Sequence, residues 1–206
     1  MTEVQPGLIP GTKRAMTGHG RAAPRVMQTL RVDHHDHVEL LREGVLDGGS
    51  AWADFGAGEG AFTLALADLL GPSGSILAID RDRHALEVAV RSLQARFPAV
   101  RITPLVADFT MSLGLPSLDG IVMANSLHFV SDKRPVVELA RSYLRPGGRL
   151  VLVEYDTDHG NPWVPYPLSS GTWATLASQA GFRDTHRLGS VPSRFLGSIY
   201  SAVSTR

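Results

Sequence analysis

From residue 51 onward, short apolar runs alternate with longer segments in which apolar residues recur at helical spacing. Short apolar runs bounded by turn residues predict buried strands, and amphipathic segments predict helices. Strands are predicted at 51–55, 75–80, 100–108, 119–125 and 149–156. Helices are predicted between them at 61–70, 83–97 and 133–144. This alternation is typical of βαβ units with right-handed crossovers, which form a parallel sheet with helices on both faces.

The C-terminal part breaks the alternation. A helix is predicted at 171–182, and strands at 183–191 and 195–204 follow with no helix between them. Two strands joined directly pair most simply as a hairpin, so one of them must run antiparallel to the rest. The prediction is therefore an α/β fold with a doubly wound, Rossmann-like sheet of seven strands, mostly parallel with an antiparallel C-terminal strand.

Before the first predicted strand, the segment "VDHHDHVEL" (32–40) holds three histidines and two aspartates in five consecutive positions. Asp33 is a good helix N-cap, and Asp36 three residues later is placed to complete a capping box. Gly44 is a candidate for the end of this helix, which we predict within 33–46. The three histidines then point in different directions, because successive helical residues are about 100° apart.

The composition suits one domain with a full core. The chain has 206 residues, of which 43% are hydrophobic and 19% charged. The absence of cysteine excludes disulfides, zinc–thiolate sites and cysteine nucleophiles. The formal net charge is zero, so no overall field attracts nucleic acid or an anionic membrane. We expect a cytoplasmic location, because neither a signal peptide nor an apolar run long enough to span a bilayer is evident.

The charge is unevenly distributed near the N-terminus. No acidic residue lies between Val4 and Val32. The same stretch contains five basic side chains, which are Lys13, Arg14, Arg21, Arg25 and Arg31. It is either a solvated extension or an arm that contacts an anionic substrate. The chain is therefore divided into a basic N-terminal arm at 1–32 and a single domain at 33–206.

The stretch "DFGAGEGAF" (54–62) lies at a predicted strand-to-helix turn. Glycines there let the backbone approach a ligand closely, and the helix N-terminus offers free N–H groups. Gly56, Gly58 and Ala61 also match the dinucleotide-binding fingerprint, so the glycines alone do not decide the ligand. Asp54 argues for a different ligand, because a dinucleotide-binding strand is usually apolar two residues before its first glycine.

Two further acids end predicted strands. Asp80 ends the second strand, where a carboxylate can accept hydrogen bonds from both hydroxyls of a ribose. Asp108 ends the third strand and could accept a hydrogen bond from an adenine amino group, with Phe109 beside the ring. Either acid taken alone could equally be a turn or helix cap. Together with Asp54 and the glycines, at the carboxyl ends of three strands, they indicate a nucleotide-containing ligand.

These motifs resemble those of class I S-adenosylmethionine-dependent methyltransferases, from about residue 50 to the C-terminus. "DFGAGEG" resembles the first motif of that family, D-x-G-x-G-x-G, while "AID" (78–80) and "AD" (107–108) resemble the second and third. "LRPGGRLVLVE" (144–154) resembles the segment that leads into the fifth strand. The final pair of strands resembles the reversed seventh strand of the family.

The resemblance implies S-adenosyl-L-methionine as the cofactor. It implies that Gly56 and Gly58 pass close under the methionine part and that Asp54 lies near its amino group. Asn125, at the end of the fourth strand, is implied near the amino acid portion. The remaining implied contacts are Asp80 with the ribose, and Asp108 and Phe109 with the adenine.

Catalytic residues are weakly specified, because methyl transfer from a sulfonium is an in-line displacement that depends mainly on alignment. "NSLHFV" (125–130) is similar to the fourth-strand segment of ubiquinone-biosynthesis C-methyltransferases, which makes His128 a candidate to face the acceptor. Tyr155 and Asp156 end the fifth strand and are further catalytic candidates. Each of these three residues could instead only pack or cap.

The segment 156–171 is irregular and rich in proline, and it follows the carboxyl end of the fifth strand. Open α/β sheets place ligand loops at such positions, so we predict that it is the substrate loop. Trp163 and Tyr166 are predicted to form a pocket wall that suits a flat or apolar acceptor. The alternative is that both side chains belong to the core.

In the family that the chain resembles, the element before the first strand packs over the cofactor cleft. Helix 33–46 is therefore predicted to be a lid, with His37 as a candidate catalytic residue and His34 as a candidate substrate contact. Two alternatives remain, a metal held by His34 and His37 one turn apart, and a capped helix with a buried, satisfied histidine. No metal is expected, because the three histidines do not converge.

The predicted function is methyl transfer from S-adenosylmethionine to a small-molecule acceptor, with no nucleic acid partner expected. The alternatives are a cofactor-binding regulator without transferase activity, an RNA or protein methyltransferase that uses the basic arm, and a nicotinamide oxidoreductase. Cytosine methylation through a thiolate adduct is excluded, because the chain has no cysteine.

Overall fold

The computed structural model describes residues 33–45, 50–193 and 195–206. The basic arm at 1–32 lies outside these residues. The helices are α1 (His34–Leu41), α2 (Ala61–Leu70), α3 (Arg83–Arg96), α4 (Arg134–Tyr143) and α5 (Ser170–Gln179), with a 3₁₀ turn at Leu127–Phe129. The strands are β1 (Ala51–Phe55), β2 (Ser75–Asp80), β3 (Arg101–Val106), β4 (Leu118–Ala124), β5 (Leu144–Tyr155), β6 (Arg183–Ser193) and β7 (Gly197–Thr205).

The seven strands form one sheet in the order β3-β2-β1-β4-β5-β7-β6. Strands β1 to β5 pair in parallel, and β7 is inserted antiparallel between β5 and β6. The predicted α/β fold with a single reversed strand near the C-terminus is therefore confirmed. The strand order reverses between β1 and β4, and open α/β sheets bind their ligands in the crevice at such a switch point.

Each face of the sheet carries its own apolar core. Trp52 of β1 is fully buried among side chains of α1, α2 and the neighbouring strands. Trp173 of α5 is fully buried on the opposite face, with side chains of α4. The core of a parallel sheet lies on both of its faces, which explains why the central strands read as nearly continuous apolar runs.

One predicted boundary differs clearly from the structure. Strand β5 begins at Leu144 rather than at 149, and it includes the "PGG" that the sequence suggested as a break. The pairing with β4 shifts register between Leu118 and Gly120, so residues 145–148 form a bulge within the ladder. The glycines thus interrupt the pairing without ending the strand.

Helix α1 begins as predicted and ends earlier. Asp33 accepts a hydrogen bond from Asp36 N at 3.0 Å, and Asp33 N donates to Asp36 Oδ2 at 3.1 Å, which confirms the capping box. The helix ends at Leu41, and Gly44 lies in the turn that follows. The apolar face that packs on the core consists of Val38, Leu40 and Leu41, with Val45 after the helix.

The helices in the described ranges are all too short or too polar to cross a membrane.

Candidate functional site

A cavity of about 350 Å³ opens at the carboxyl ends of the central strands, at the switch point of the sheet. Its walls come from the turns that follow β1, β2, β3 and β4. Six of the seven residues predicted to contact the cofactor line it, namely Gly56, Gly58, Asp80, Asp108, Phe109 and Asn125. The structure thus brings together residues that are almost seventy positions apart in the chain.

The loop that contains Gly56, Gly58 and Gly60, called the glycine loop, packs closely against the end of β4. Gly56 has a φ of +81°, and its N–H donates to Ile79 O at 2.8 Å. A Cβ added at Gly56 would lie only 2.5 Å from Cβ of Ser126, closer than packed carbon atoms can approach. Gly58 has a φ of +52°, but a Cβ there would meet no atom within 4 Å. The two glycines are therefore required for different reasons.

Asp80 links β2 to the glycine loop. Its Oδ2 accepts a hydrogen bond from Gly58 N at 2.8 Å, and its Oδ1 accepts one from Asp82 N at 2.9 Å. A carboxylate oxygen has two lone pairs, so each oxygen can accept one further hydrogen bond from a molecule in the cavity. Asp80 can hold the loop and a diol at the same time.

The Asp108 carboxylate is fixed by the residue two positions later. Its Oδ1 accepts hydrogen bonds from the Thr110 hydroxyl at 2.7 Å and from Thr110 N at 2.9 Å. These bonds hold the pKa of Asp108 below its ordinary value, so this acceptor stays ionised near neutral pH. Beside it, Phe109 is supported by Phe55, with ring centroids 5.9 Å apart.

Two oxygen atoms at the end of β4 are buried without a partner among the described residues. They are Oδ1 of Asn125 and Oγ of Ser126, and both residues line the cavity. Asn125 has a φ of +51°, which is uncommon for a residue with a side chain. Buried polar atoms are nearly always paired, so this wall of the cavity suits a ligand that donates hydrogen bonds, such as an ammonium group.

Asp54 does not lie on the cavity wall. It is buried behind the glycine loop, where the Thr63 hydroxyl donates to its Oδ2 at 2.6 Å. Burial raises the pKa of Asp54 to about 6, although the bond from Thr63 opposes this shift. The contact with a cofactor amino group that the resemblance implies stays a prediction. The hydrogen bond between Asp54 and Thr63 links β1 to α2.

Next to the cavity, His128 and Glu154 form a buried pair. Nδ1 of His128 lies 2.9 Å and 3.0 Å from the two carboxylate oxygens of Glu154, and both side chains are almost completely inaccessible to solvent. Sequence reasoning missed Glu154. The signal that could have found it is a single charged residue near the end of the otherwise apolar run "LVLVEY" (150–155).

Comparison with known proteins agrees with this geometry. A family model described as "Methyltransferase domain" matches residues 53–150, from β1 into β5. A SAM-dependent methyltransferase from Aquifex aeolicus has a similar fold, with a TM-score of 0.65 and 20% sequence identity over 89% of this chain and 93% of that chain. The matched residues include all four turns that line the cavity.

Curated relatives also resemble the chain. A probable cobalt-precorrin-6B C(15)-methyltransferase (decarboxylating) of Thermoplasma volcanium is 30% identical over 56% of this chain and 55% of its own length. A demethylmenaquinone methyltransferase of Anoxybacillus flavithermus is 30% identical over 52% and 45%. An uncharacterized 37.1 kDa protein in transposon TN4556 of Streptomyces fradiae is 36% identical over 53% and 31%. The chain thus spans about half the length of these relatives or less.

Residues 53–150 thus match a methyltransferase domain, within a fold similar to that of an S-adenosylmethionine-dependent methyltransferase.

In the structure, the residues at the end of β5 are held by neighbouring elements. Asp156 accepts hydrogen bonds from Ser170 N at 2.9 Å and from the Arg187 guanidinium at 2.7 Å. Burial opposes ionisation, but these bonds lower the pKa of Asp156. Tyr155 is buried, and burial together with Glu154 raises the pKa of its hydroxyl. The catalytic roles of Tyr155 and Asp156 stay predictions, while the structure gives Asp156 a role in anchoring the loop that follows.

The loop at 156–171 is tied to the rest of the fold by its backbone. Asp156 N donates to Ser198 O at 3.0 Å, and Tyr166 N donates to His128 O at 3.0 Å. At the other end of the loop, the Tyr200 hydroxyl donates to Leu168 O at 3.1 Å. The loop therefore lies beside the His128 turn, and its role as a substrate loop stays a prediction.

Two aromatic side chains of this loop face solvent. Trp163 is 74% exposed and Tyr166 is 48% exposed, so neither belongs to the core. The Lys133 ammonium lies 5.7 Å from the centre of the Tyr166 ring and donates to Val130 O. Phe129, which lines the cavity, is also mostly exposed. Contact of Trp163 and Tyr166 with a substrate stays a prediction.

The α1 histidines do not line the cavity. His34 Nε2 lies 3.2 Å from a carboxylate oxygen of Asp68 on α2, and the His37 ring packs 4.4 Å from the ring of Phe62. Burial lowers the pKa of His37, and His34 lowers it further. Helix α1 packs against α2 and β6, and none of its residues lines the cavity, so its role as a lid stays a prediction. Contact of either histidine with substrate stays a prediction that this packing does not favour.

A metal site is not supported by this part of the structure. Among the described residues, histidine, aspartate and glutamate side chains nowhere gather in a group of three that could bind a metal ion.

Proposed function

We propose that this methyltransferase transfers the methyl group of S-adenosylmethionine to a small-molecule acceptor. The observation that carries the proposal is the cavity at the switch point, where ligand-facing acceptors at the ends of β2, β3 and β4 surround the glycine loop. The names of the curated relatives support the class of acceptor, since one is a cobalt-precorrin methyltransferase and another a demethylmenaquinone methyltransferase.

The cavity residues fit each part of the cofactor. The free lone pairs of Asp80 suit the ribose hydroxyls, and Asp108 with Phe109 suits the adenine. The unpaired oxygens of Asn125 and Ser126 suit the ammonium of the methionine portion. When bound, the cofactor supplies a methyl group that is already activated by a sulfonium. The protein then has to align the acceptor and exclude water, which can contribute on the order of 7–11 kcal/mol.

Aromatic rings lie on and beside the wall of the cavity. A volume of about 350 Å³ is within the range of small-molecule pockets. The exposed ring of Phe129 and the Tyr166 ring beside the His128 turn offer flat apolar surfaces. This surface suits a flat or apolar acceptor better than a highly charged polymer.

Calorimetric titration tests the cofactor assignment. We expect heat on titration with S-adenosylmethionine and none with NAD. Transfer of tritium-labelled methyl groups to a panel of phenols, hydroxyquinones and amines, beside bulk RNA and unfolded protein, then tests the acceptor class. Tight binding of NAD alone would contradict the family-based assignment. Cofactor binding without transfer to any panel member would favour the regulatory alternative.

The Asp80→Ala substitution is expected to weaken S-adenosylmethionine binding by about 1.5–3 kcal/mol, the usual contribution of hydrogen bonds to a charged group. The loss has two causes, because Asp80 also holds Gly58 N and therefore the glycine loop. Asp82→Ala is the matched control. Asp82 caps α3 through His84 N and Ala85 N, so its loss should lower stability by about 1 kcal/mol and leave the affinity unchanged. Calorimetry measures the affinity of both variants for S-adenosylmethionine. An affinity of Asp80→Ala equal to that of the wild type would refute the ribose assignment.

A further inference from the structure

We propose that Glu154 is a positioning residue that fixes the imidazole of His128, and that His128 accepts the proton released by the acceptor during methylation. The acceptor is then a molecule that loses a proton when it is methylated, such as a hydroxyl, an amine or an acidic C–H group. This inference rests on the proposed function. It adds a general base, the residue that positions this base, and the requirement that the acceptor lose a proton.

The Glu154 carboxylate is surrounded by N–H donors. Its oxygens accept hydrogen bonds from His128 N at 3.1 Å and from Tyr155 N at 2.9 Å, besides the contacts with His128 Nδ1. The side chain is completely buried. Both side-chain oxygens of Glu154 therefore act as acceptors towards N–H groups. A buried carboxylate is tolerated when its lone pairs are satisfied in this way.

This arrangement selects one tautomer of His128. Because Nδ1 faces two carboxylate oxygens, it must carry the ring hydrogen. Nε2 then holds the lone pair and is the nitrogen that can accept a proton. Among the described residues, none makes a hydrogen bond to Nε2. A histidine with a purely structural role could also use Nδ1 in this way. The location of His128 relative to the cavity therefore has to distinguish a structural role from that of a proton acceptor.

The position of His128 is beside the cavity. Its neighbours Ser126, Phe129 and Val130 line the cavity, and the Phe129 ring centre lies 4.2 Å from that of His128. Tyr155 approaches from β5 with its ring centre 5.8 Å away. Burial lowers the pKa of Lys133, and the Glu154 carboxylate partly opposes this shift. The Lys133 ammonium donates to Val130 O, so it does not take the place of His128 as the partner of Glu154.

The proposed step balances in atoms and charge. The lone pair of the acceptor atom forms the bond to the methyl carbon while the carbon–sulfur bond breaks, and that electron pair stays on sulfur. The hydrogen of the acceptor atom moves as a proton to Nε2 of His128. The resulting imidazolium lies against the Glu154 carboxylate, which stabilises it, and the proton then passes to solvent.

The tautomer of His128 can be measured in the protein without cofactor or acceptor. In a long-range ¹H–¹⁵N correlation spectrum, we expect the wild-type Nδ1 to carry the hydrogen and Nε2 to be unprotonated, with the signals assigned through His128→Asn. A wild-type spectrum with the hydrogen on Nε2 overturns the proposal. This measurement needs no Glu154 variant, so it stands even if such variants fold poorly.

The Glu154→Gln substitution then tests whether Glu154 positions the imidazole of His128. Glutamine has one carbonyl oxygen and one NH₂ group, so it cannot accept from all three N–H donors. We expect the Nδ1–H tautomer to lose its dominance and kcat to fall about 100-fold with the fastest acceptor of the panel, while the KM for S-adenosylmethionine changes less than threefold. Adding His128→Asn should reduce kcat little further, because the two residues act as one unit.

Glu138→Gln is the matched control, since it makes the same chemical change on the exposed surface of α4, where Glu138 pairs with Arg134. It should alter neither the His128 spectrum nor kcat. An unchanged tautomer or an unchanged kcat in Glu154→Gln overturns the positioning role. Failure of the proposed function would be recognised by a different result. The wild-type protein would then bind no S-adenosylmethionine, although His128 would still carry its hydrogen on Nδ1.

Discussion

Replacing Gly56 with alanine is expected to lower the free energy of unfolding by about 3 kcal/mol, the sum of left-handed backbone strain and an overpacked contact. The backbone at Gly56 has a φ of +81°, and the new Cβ would lie 2.5 Å from Cβ of Ser126. Ser126 and Phe109, the two residues nearest the new methyl group, both line the cavity. Their displacement should weaken S-adenosylmethionine binding about 100-fold, or about 2.7 kcal/mol. Urea unfolding and calorimetry measure the two effects.

The Gly58→Ala substitution distinguishes the cost of backbone strain from the cost of steric overlap. Gly58 also has a positive φ, but its added Cβ would meet no atom within 4 Å. The free energy of unfolding should therefore fall by only about 1–2 kcal/mol, the strain contribution alone. If both variants lose the same stability, the close approach of the glycine loop to β4 does not have the energetic importance inferred from the distance.

Replacing Asp54 with asparagine is expected to stabilise the protein at neutral pH by about 3 kcal/mol. Burial raises the pKa of Asp54 from 3.8 to about 6. Below pH 3.8, the carboxyl group is protonated in the folded and unfolded chains alike. Between pH 3.8 and 6, the unfolded chain releases its proton first, so the folded state loses stability as the pH rises. The full cost is present above pH 6, and asparagine, which does not ionise, avoids it.

The measurement is the difference in unfolding free energy between Asp54→Asn and the wild type at pH 4.0 and pH 7.5. Because all other groups titrate equally in both proteins, the difference isolates Asp54. Thr63→Val is the complementary control, since it removes the hydrogen bond that partly stabilises the carboxylate and should steepen the pH dependence. No stabilisation of Asp54→Asn at pH 7.5 would show that the ionised carboxylate is solvated despite its burial. Unchanged cofactor affinity in this variant would argue against contact with the amino group.

Local patterns predicted most of the framework of this fold. The bounds of β1, α2 and β2 agree with the structure to the residue, because each element is a run of one periodicity bounded by glycine, proline or aspartate. The reversed strand could be predicted because a direct connection between strands leaves no room for a crossover. The capping box of Asp33 and Asp36 could be predicted because it depends on a spacing of three residues.

Contacts between distant segments could not be predicted in this way. Glu154 meets His128 only because β5 and the turn after β4 end side by side, 26 positions apart in the chain. His34 meets Asp68 because α1 packs on α2, and the histidine-rich segment itself contains no signal for that partner. The sequence could show that the histidines point in different directions. It could not show what each one would contact.

The anchoring of the loop at 156–171 determines how freely its exposed side chains can vary. The backbone of the loop is hydrogen-bonded to the backbones of Ser198 and His128 and to the Tyr200 hydroxyl, while Trp163 and Tyr166 project from the loop into solvent. The course of the loop thus depends little on these two side chains. Point substitutions at Trp163 and Tyr166 can therefore reshape the exposed surface of this predicted substrate loop while the frame stays in place, which makes the loop a suitable region for directed evolution.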